Sequence, residues 1–316
     1  MSAPQLIVVA GPTATGKTRL GILLAQRFGG EIVSADSMQV YRGMDIGTAK
    51  ATAAERAAVP HHMLDVAAPD ENYSVSRYVE EAARCCDELL ARGKTPVVVG
   101  GTGLYIDSLL SGRDFAGREE GDEGLRESLN RRYDAEGGEA LLRELASFDP
   151  ARAAKLPVSD KRRIVRAIEI YRLTGETISA HDARTAALPP RYDAARILLT
   201  YADRADLYAR IDARVDEMLA SGLFEEVEAL LASGLSPACT AMQAIGYKEA
   251  ARALSGEISR GEAAALIKQA SRRYAKRQLT WFSRTADALR IRWDKSPDFE
   301  EALRLSTEFL TARGLS

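Results

Sequence analysis

A chain of 316 residues that is 46% hydrophobic carries enough apolar side chain for one large domain or two modest ones, each with a substantial core. Its 43 lysines and arginines against 45 acidic residues leave a net charge of -2, so a polyanion would be met by local basic faces and not by the field of the whole molecule. Three cysteines, two adjacent (Cys85, Cys86) and one distant (Cys239), give neither a metal-binding spacing nor a disulfide framework, and no apolar run reaches the ~18 residues of a membrane span.

Residues 1–5 lack the charged and apolar regions of a signal peptide, which with the three lone thiols leads us to expect a cytoplasmic protein that does not enter a membrane. The first element, Leu6-Ile7-Val8-Val9-Ala10, is a short β-branched run of the kind buried in a parallel sheet. Gly11-Pro12-Thr13-Ala14-Thr15-Gly16-Lys17-Thr18 follows, with the G-x-x-x-x-G-K-T spacing of a P-loop opening onto a helix. Gly11 and Gly16 let the backbone curl until amide N–H groups converge, and the helix adds its positive dipole end. Lys17 supplies a point charge over the phosphates and Thr18 a hydroxyl for Mg²⁺, so the expected ligand is a di- or triphosphate. A plain glycine turn would explain the glycines but not the Lys-Thr pair.

Leu20, Leu23, Leu24 and Phe28 then recur at helical spacing up to Gly29-Gly30, a glycine stop. Glu31-Ile32-Val33-Ser34 predicts a second strand, whose polar continuation makes Asp36 and Gln39 candidates for a crevice at the strand ends. A short strand is expected over 62–66, an amphipathic helix over 74–92, and an apolar strand over 95–99 ending in Gly100-Gly101-Thr102-Gly103. Strands alternating with helices predict an α/β fold: a P-loop NTPase-like parallel sheet with helices on both faces. From about residue 112 to 190 only helical segments are legible (123–132, 139–147, 160–174), before a strand returns at 195–200. The expected organisation is a catalytic core of residues 1–112 and 190–316 with an inserted helical subdomain over 113–189. Beyond it we expect a helix striped by Leu207, Ile211, Val215 and Met218, a second to 233, a long helix over 259–285 opened by a Ser259/Glu262 capping box, a last strand over 289–293 and a terminal helix over 299–313.

A nucleotide hydrolase usually places a Mg²⁺-holding aspartate at the end of an apolar strand. Here the most apolar strand after the P-loop ends in Gly100-Gly101-Thr102, and Asp65, after a weaker strand, is the remaining alternative. The loop could instead hold the leaving diphosphate of an alkyl donor, with Mg²⁺, Lys17 and a remote arginine neutralising the charge that develops as the bond breaks. Arg210 and Arg214, one turn apart, present their guanidinium groups on one helix face; ordinary pairing with Asp206 or Asp212 is the alternative. On the helix from Asp160, Arg162, Arg163 and Arg166 fall opposite the stripe of Ile164, Val165, Ile168 and Tyr171, and a second basic ridge carries Arg273 and Arg277.

Six ordered blocks then converge. The P-loop, Ser34-Ala35-Asp36-Ser37-Met38-Gln39-Val40-Tyr41, Gly43-Met44-Asp45-Ile46-Gly47-Thr48-Ala49-Lys50 and Gly100-Gly101-Thr102-Gly103-Leu104-Tyr105 are followed by Gly246-Tyr247-Lys248-Glu249 and Ala275-Lys276-Arg277-Gln278-Leu279-Thr280-Trp281-Phe282. Over nearly its whole length the chain resembles the bacterial tRNA dimethylallyltransferases (IPP transferase family). The resemblance implies transfer of a dimethylallyl group from dimethylallyl diphosphate to the exocyclic N6 amine of the adenine on the 3′ side of the anticodon.

It further implies that Asp36 is the general base taking the amine proton, that Thr102 lies near the reacting adenine, and that residues 13–18 bind the diphosphate. One of Arg210 and Arg214, Arg210 by preference, matches the arginine that grips the diphosphate. The tRNA anticodon arm is expected on Asp36, Ser37, Met38, Gln39 and Thr102, on Asp160, Lys161, Arg162, Arg163, Ile164 and Arg166 of the insertion, and on Arg273 and Arg277, with insertion and core closing around it. No zinc-finger spacing follows the core, and a monomer is expected. His61, His62 and His181 have no metal partner set and are read as surface or hydrogen-bonded residues. The rivals are a P-loop small-molecule kinase, which leaves the basic ridges unused, an adenylate isopentenyltransferase, which needs no helical insertion, and an RNA-binding module without activity, which leaves Lys17, Thr18 and Asp36 unexplained.

Overall fold

The computed structural model describes residues 5–111 and 122–315. In chain order the elements are β1 (Leu6–Ala10), α1 (Lys17–Arg27), β2 (Glu31–Ser34), α2 (Ala53–Ala58), β3 (His61–His62), α3 (Val75–Ala91), β4 (Pro96–Gly100) and α4 (Gly103–Ser111). Among the described residues there follow α5 (Glu123–Glu136), α6 (Gly138–Phe148), α7 (Pro150–Ala153), α8 (Lys161–Thr174) and α9 (Ile178–Ala186), with no strand between them. The chain closes with β5 (Ala194–Tyr201), α10 (Arg204–Ala220), α11 (Leu223–Ala232), α12 (Tyr247–Leu254), α13 (Arg260–Phe282), β6 (Ala288–Trp293) and α14 (Phe299–Thr311).

The six strands form one sheet in the order β3-β2-β4-β1-β5-β6, every pair parallel, with Val8 of β1 opposite Val98 of β4 and Arg196 of β5. Both central strands are buried along their whole length, as runs of Leu, Ile and Val covered on two faces must be. Two compact units emerge: Met1–Leu110 with Arg191–Ser316, and Ser111–Pro190. The expected boundary at 112/113 lies outside the described residues. The second unit has its own core, in which Leu129, Leu141, Leu145, Ile164 and Ile168 are wholly buried and Phe148 stacks on Tyr171 at 4.0 Å.

The strand expected over 62–66 is the element the structure corrects. Only His61–His62 pair with β2, because Met63 (φ 62°) and Asp65 (φ 58°) adopt left-handed backbone that cannot continue a strand. Helices α2 and α9 lacked a strong apolar stripe in the sequence, yet both carry capping side chains: Thr52 closes a capping box with Glu55, and Thr177 accepts from the Ala180 N–H. Cys86 is buried and Cys85 partly so; burial pushes the Cys85 thiol up to about 11, as befits inert core thiols. Because all strands run the same way, the loops after β1, β2 and β4 emerge at one edge of the sheet.

Candidate active site

The loop after β1 is shaped by what surrounds it. Gly11 (φ 147°) has no room for a side chain, since a Cβ there would meet the Leu199 carbonyl oxygen of β5 at 2.2 Å. Gly16 (φ 78°) starts α1 in left-handed backbone with the Phe299 ring 2.5 Å from where a Cβ would sit. The buried Thr15 hydroxyl donates to the Pro12 carbonyl (2.9 Å), and the Trp293 indole N–H donates to the Thr15 carbonyl (3.0 Å). Lys17 Nζ donates to the Pro12 carbonyl at 2.6 Å. Enclosure of the Lys17 ammonium, and next the nearby Arg214 charge, lower its pKa to about 7, while Asp36 opposes them.

Asp36 follows β2. Its Oδ1 accepts from the backbone N–H of Met38 (2.9 Å) and weakly from that of Gln39 (3.4 Å), which fixes the carboxylate by an Asx turn; among the described residues Oδ2 accepts no hydrogen bond. Thr102 follows β4: its hydroxyl accepts the Ser37 N–H (3.1 Å) while its carbonyl receives the Tyr105 and Ile106 amides at the start of α4. The Thr102 hydroxyl is thus spent on the loop that carries Asp36, and only its backbone carbonyl takes part in starting α4. Gln39 is committed to the fold, accepting from Ser34 Oγ and donating to the carbonyls of Thr48 and Ala49.

These loops line one cavity of about 590 Å³ together with Lys17, Thr18, Arg210 and Arg214. Arg210 donates to Glu217 at 2.8 Å, and neither Asp206 nor Asp212 is its partner. Asp212 instead binds Arg272 of α13. Arg214 has no ion-pair partner among the described residues, and Asp36 is the main charge opposing the effect of burial on its guanidinium. Of the two, Arg214 is electrostatically joined to both Lys17 and Asp36.

Sequence reasoning assigned no role to Gln278 and Tyr274 of α13. Gln278 Oε1 accepts the Thr13 N–H (2.9 Å) and its Nε2 donates to the Gly101 carbonyl (2.9 Å), joining the P-loop to the β4 turn. Tyr274 lines the cavity beside Thr102 and Gln278, and burial with the neighbouring Asp36 pushes its phenol up to about 12. Asp65, the alternative Mg²⁺ ligand, is already used: its two oxygens accept from Lys50 (2.6 Å) and Arg56 (2.9 Å), and the buried Lys50 also binds Asp45 (2.6 Å). The 43–50 segment is held from α11, where the Glu226 carboxylate accepts the amides of Asp45, Ile46 and Gly47 and the Tyr247 hydroxyl. Among the described residues no cluster of three His, Cys, Asp or Glu could hold a metal. His62 binds Glu31 (2.7 Å) and His61 the Val59 carbonyl (2.8 Å), which are structural roles.

On the second unit the basic face of α8 is mostly paired. Lys161 binds Asp134 (2.6 Å), Arg163 binds the N-cap residue Asp160 (3.3 Å), and Arg166 shares the wholly buried Glu169 with Arg126 (3.0 and 2.9 Å). Arg162 is exposed with no ion-pair partner among the described residues. Ile164, expected among the RNA contacts, is 0% exposed; it belongs to the apolar stripe of α8 and is core. On α13, Lys268 and Arg272 bind Asp216 and Asp212, whereas Arg273 is exposed and Arg277 lies over the Tyr274 ring at 5.5 Å.

A family model described as IPP transferase matches residues 39–285, and one described as isopentenyl transferase matches residues 4–66. The chain is 45% identical over 303 residues to the tRNA dimethylallyltransferase of Pelotomaculum thermopropionicum, covering 96% of this chain and 94% of that one. It is 47% identical over 294 residues to tRNA dimethylallyltransferase 2 of Geotalea uraniireducens, with 93% of each chain covered. Among solved structures it resembles the tRNA isopentenylpyrophosphate transferase of Bacillus halodurans (38% identity, TM-score 0.71, 98% of each chain). It also resembles a eukaryotic dimethylallyltransferase acting on tRNA (29% identity, TM-score 0.83, 99% of this chain and 81% of that one). Among the described residues no helix is long and apolar enough to cross a membrane.

Proposed function

The chain belongs to the IPP transferase family, and from that membership we propose how its residues carry out the family's chemistry. It is an enzyme that transfers a dimethylallyl group to tRNA. In our reading the donor is dimethylallyl diphosphate and the acceptor is the N6 amine of the adenine on the 3′ side of the anticodon. The observation that carries the reading is that Lys17, Arg214 and Asp36 share one cavity: two cations for a diphosphate and one carboxylate for a proton.

The amides of the 13–18 loop and Lys17 bind the diphosphate, and Arg214 meets the charge that grows on it as the allylic C–O bond breaks. Arg210, tied to Glu217, is the outer member of the pair. The electron pair of the broken bond leaves with the diphosphate, the adenine nitrogen forms the new bond to carbon, and Asp36 takes the amine proton. An aromatic amine is a weak nucleophile, so the fixed carboxylate and the partly ionised allyl group share the work. Mg²⁺ fits as an ion held by Thr18 and mainly by diphosphate oxygens, and would supply further neutralisation of the leaving group. The Asx turn aims Asp36, and Thr102, bound to the Ser37 amide, borders the place where the base must enter. The adenine must leave its stack to reach this depth.

For RNA binding, the open cations are Arg162 on the insertion and Arg273 and Arg277 on α13. Lys161, Arg163 and Arg166 are reassigned to shaping the insertion through their acidic partners. We further read the enzyme as cytoplasmic, which a tRNA substrate accords with, and as a monomer. Radiolabelled dimethylallyl diphosphate offered with Mg²⁺ and tRNA, AMP or neither tests the reading. Label should appear in tRNA alone and map to the adenine beside the anticodon; label on AMP, or ATP consumption without transfer, would overturn it.

A further inference from the structure

A second cleft, of about 470 Å³, opens beside Gly11 and Pro12, walled by the end of β5, the start of α10, the last turn of α13 and β6. Three arginines line it, Arg204, Arg290 and Arg292, and no aspartate or glutamate does. Arg290 donates to the carbonyls of Phe282, Ser283 and Thr285, which ties down the end of α13 without neutralising its own charge. Arg204 and Arg292 are exposed and have no ion-pair partner among the described residues. In a chain whose net charge is -2, and whose arginines elsewhere are repeatedly paired, this is a local excess of about three positive charges. Asp203, next to Arg204 in sequence, caps α10 through the Ala205 amide, and neither it nor Asp206 or Asp294 lines the cleft.

The cleft continues a basic line along α13. Arg273, Lys276 and Arg277 are exposed on that helix, Thr280 one turn after Lys276 lines the cleft, and Arg284 follows just past the helix end. We propose that this cleft is a second phosphate-binding site, seating a backbone phosphate of the substrate RNA away from the reacting base, with Arg204 and Arg292 as its ligands. The inference rests on RNA being the substrate. Guanidinium forks suit phosphate oxygens, and a pocket without carboxylates repels no polyanion. Such a contact carries no base information, so it fixes how the RNA lies on the enzyme and not which base is read.

The test is tRNA binding by the full-length enzyme across a salt series, with Arg204→Gln, Arg292→Gln and the double variant. Affinity should fall about tenfold in the double variant, and the slope of log affinity against log salt should become shallower by about 1.5, since each lost phosphate contact removes slightly less than one unit. The Michaelis constant for tRNA should rise with it while that for dimethylallyl diphosphate holds, and Arg292→Lys should restore part of the slope. An unchanged slope in a double variant that melts like the parent would overturn the assignment. So would inorganic phosphate binding to the parent and not to the double variant while tRNA binding is unaffected, because the cleft would then serve a small phosphate. Failure of the parent to prenylate tRNA would strike the proposed function itself, whatever the salt slopes.

Discussion

The side-chain amide of Gln278 donates to the Gly101 carbonyl at 2.9 Å and stands 2.3 Å from where a Gly101 Cβ would be. Through its other end the same amide accepts the Thr13 N–H, so the turn that carries Thr102 and the loop that holds the diphosphate are joined by one buried side chain. Gly101→Ala should push Gln278 out of both hydrogen bonds. We expect a loss of about 1–3 kcal/mol in chemical denaturation and a raised Michaelis constant for dimethylallyl diphosphate. Parent-like stability and kinetics would show that the two loops are positioned independently.

Lys17, lowered to about 7 by enclosure and by Arg214, makes diphosphate binding pH-dependent. A diphosphate beside it favours the ammonium, so above pH 7 binding should take up protons, near one per site at pH 8. Calorimetry in buffers of different ionisation enthalpy reads this directly, and Lys17→Met should abolish it. For folding the sign is the reverse of a stabilising lysine: the folded pKa lies below the unfolded one, so a penalty is present at and below pH 7 and is relieved as pH rises toward 10.5. Lys17→Met should therefore be inactive yet at least as stable as the parent at neutral pH.

Arg214→Ala should lower kcat/KM about 100-fold, because it removes an enclosed charge facing both Lys17 and Asp36. Arg210→Ala, which removes an exposed arginine paired with Glu217, should cost only a few-fold. Steady-state kinetics in dimethylallyl diphosphate separates them; the opposite ranking would return the gripping role to Arg210.

The two ends of the α8 basic face should respond differently. Arg162→Ala should leave the melting temperature alone and flatten the salt dependence of tRNA binding by slightly less than one unit. Arg166→Ala weakens the support of the buried Glu169, and with Arg126 still in place and the arginines partly exposed it should cost about 1 kcal/mol of stability. A stability loss confined to Arg162→Ala would contradict this division.

Much of the framework was legible because it is written in local patterns. The apolar runs at 6–10 and 96–100 read as buried strands, the glycine spacing at 11–16 followed by Lys17-Thr18 reads as a strand-to-helix loop of the P-loop kind, and the stripes at 75–91 and 161–174 announce helices with one apolar face. The strand over 62–66 was misread because apolar alternation does not reveal that Met63 and Asp65 turn left-handed. Asp65 stayed open as the alternative Mg²⁺ ligand because the sequence does not show that Lys50 and Arg56 already occupy its two oxygens. Tyr274 lies outside every block and Gln278 inside the last one with no role attached to it; what each does depends on α13 bringing it against loops more than 170 residues away. The arginines of α8 looked like one RNA-binding ridge because sequence spacing shows which residues share a face but not which acids lie opposite them.

The central claim is that Asp36, held by the Met38 amide, takes the amine proton while the diphosphate departs. Single-turnover transfer from dimethylallyl diphosphate to an anticodon stem-loop, comparing Asp36→Asn with the parent at saturating concentrations of both substrates, tests it most directly. We predict that the variant binds both substrates with parent affinity and that the chemical step slows 100- to 10,000-fold, the range for a positioned general base. A chemical step at the parent rate, with binding intact, would contradict the account.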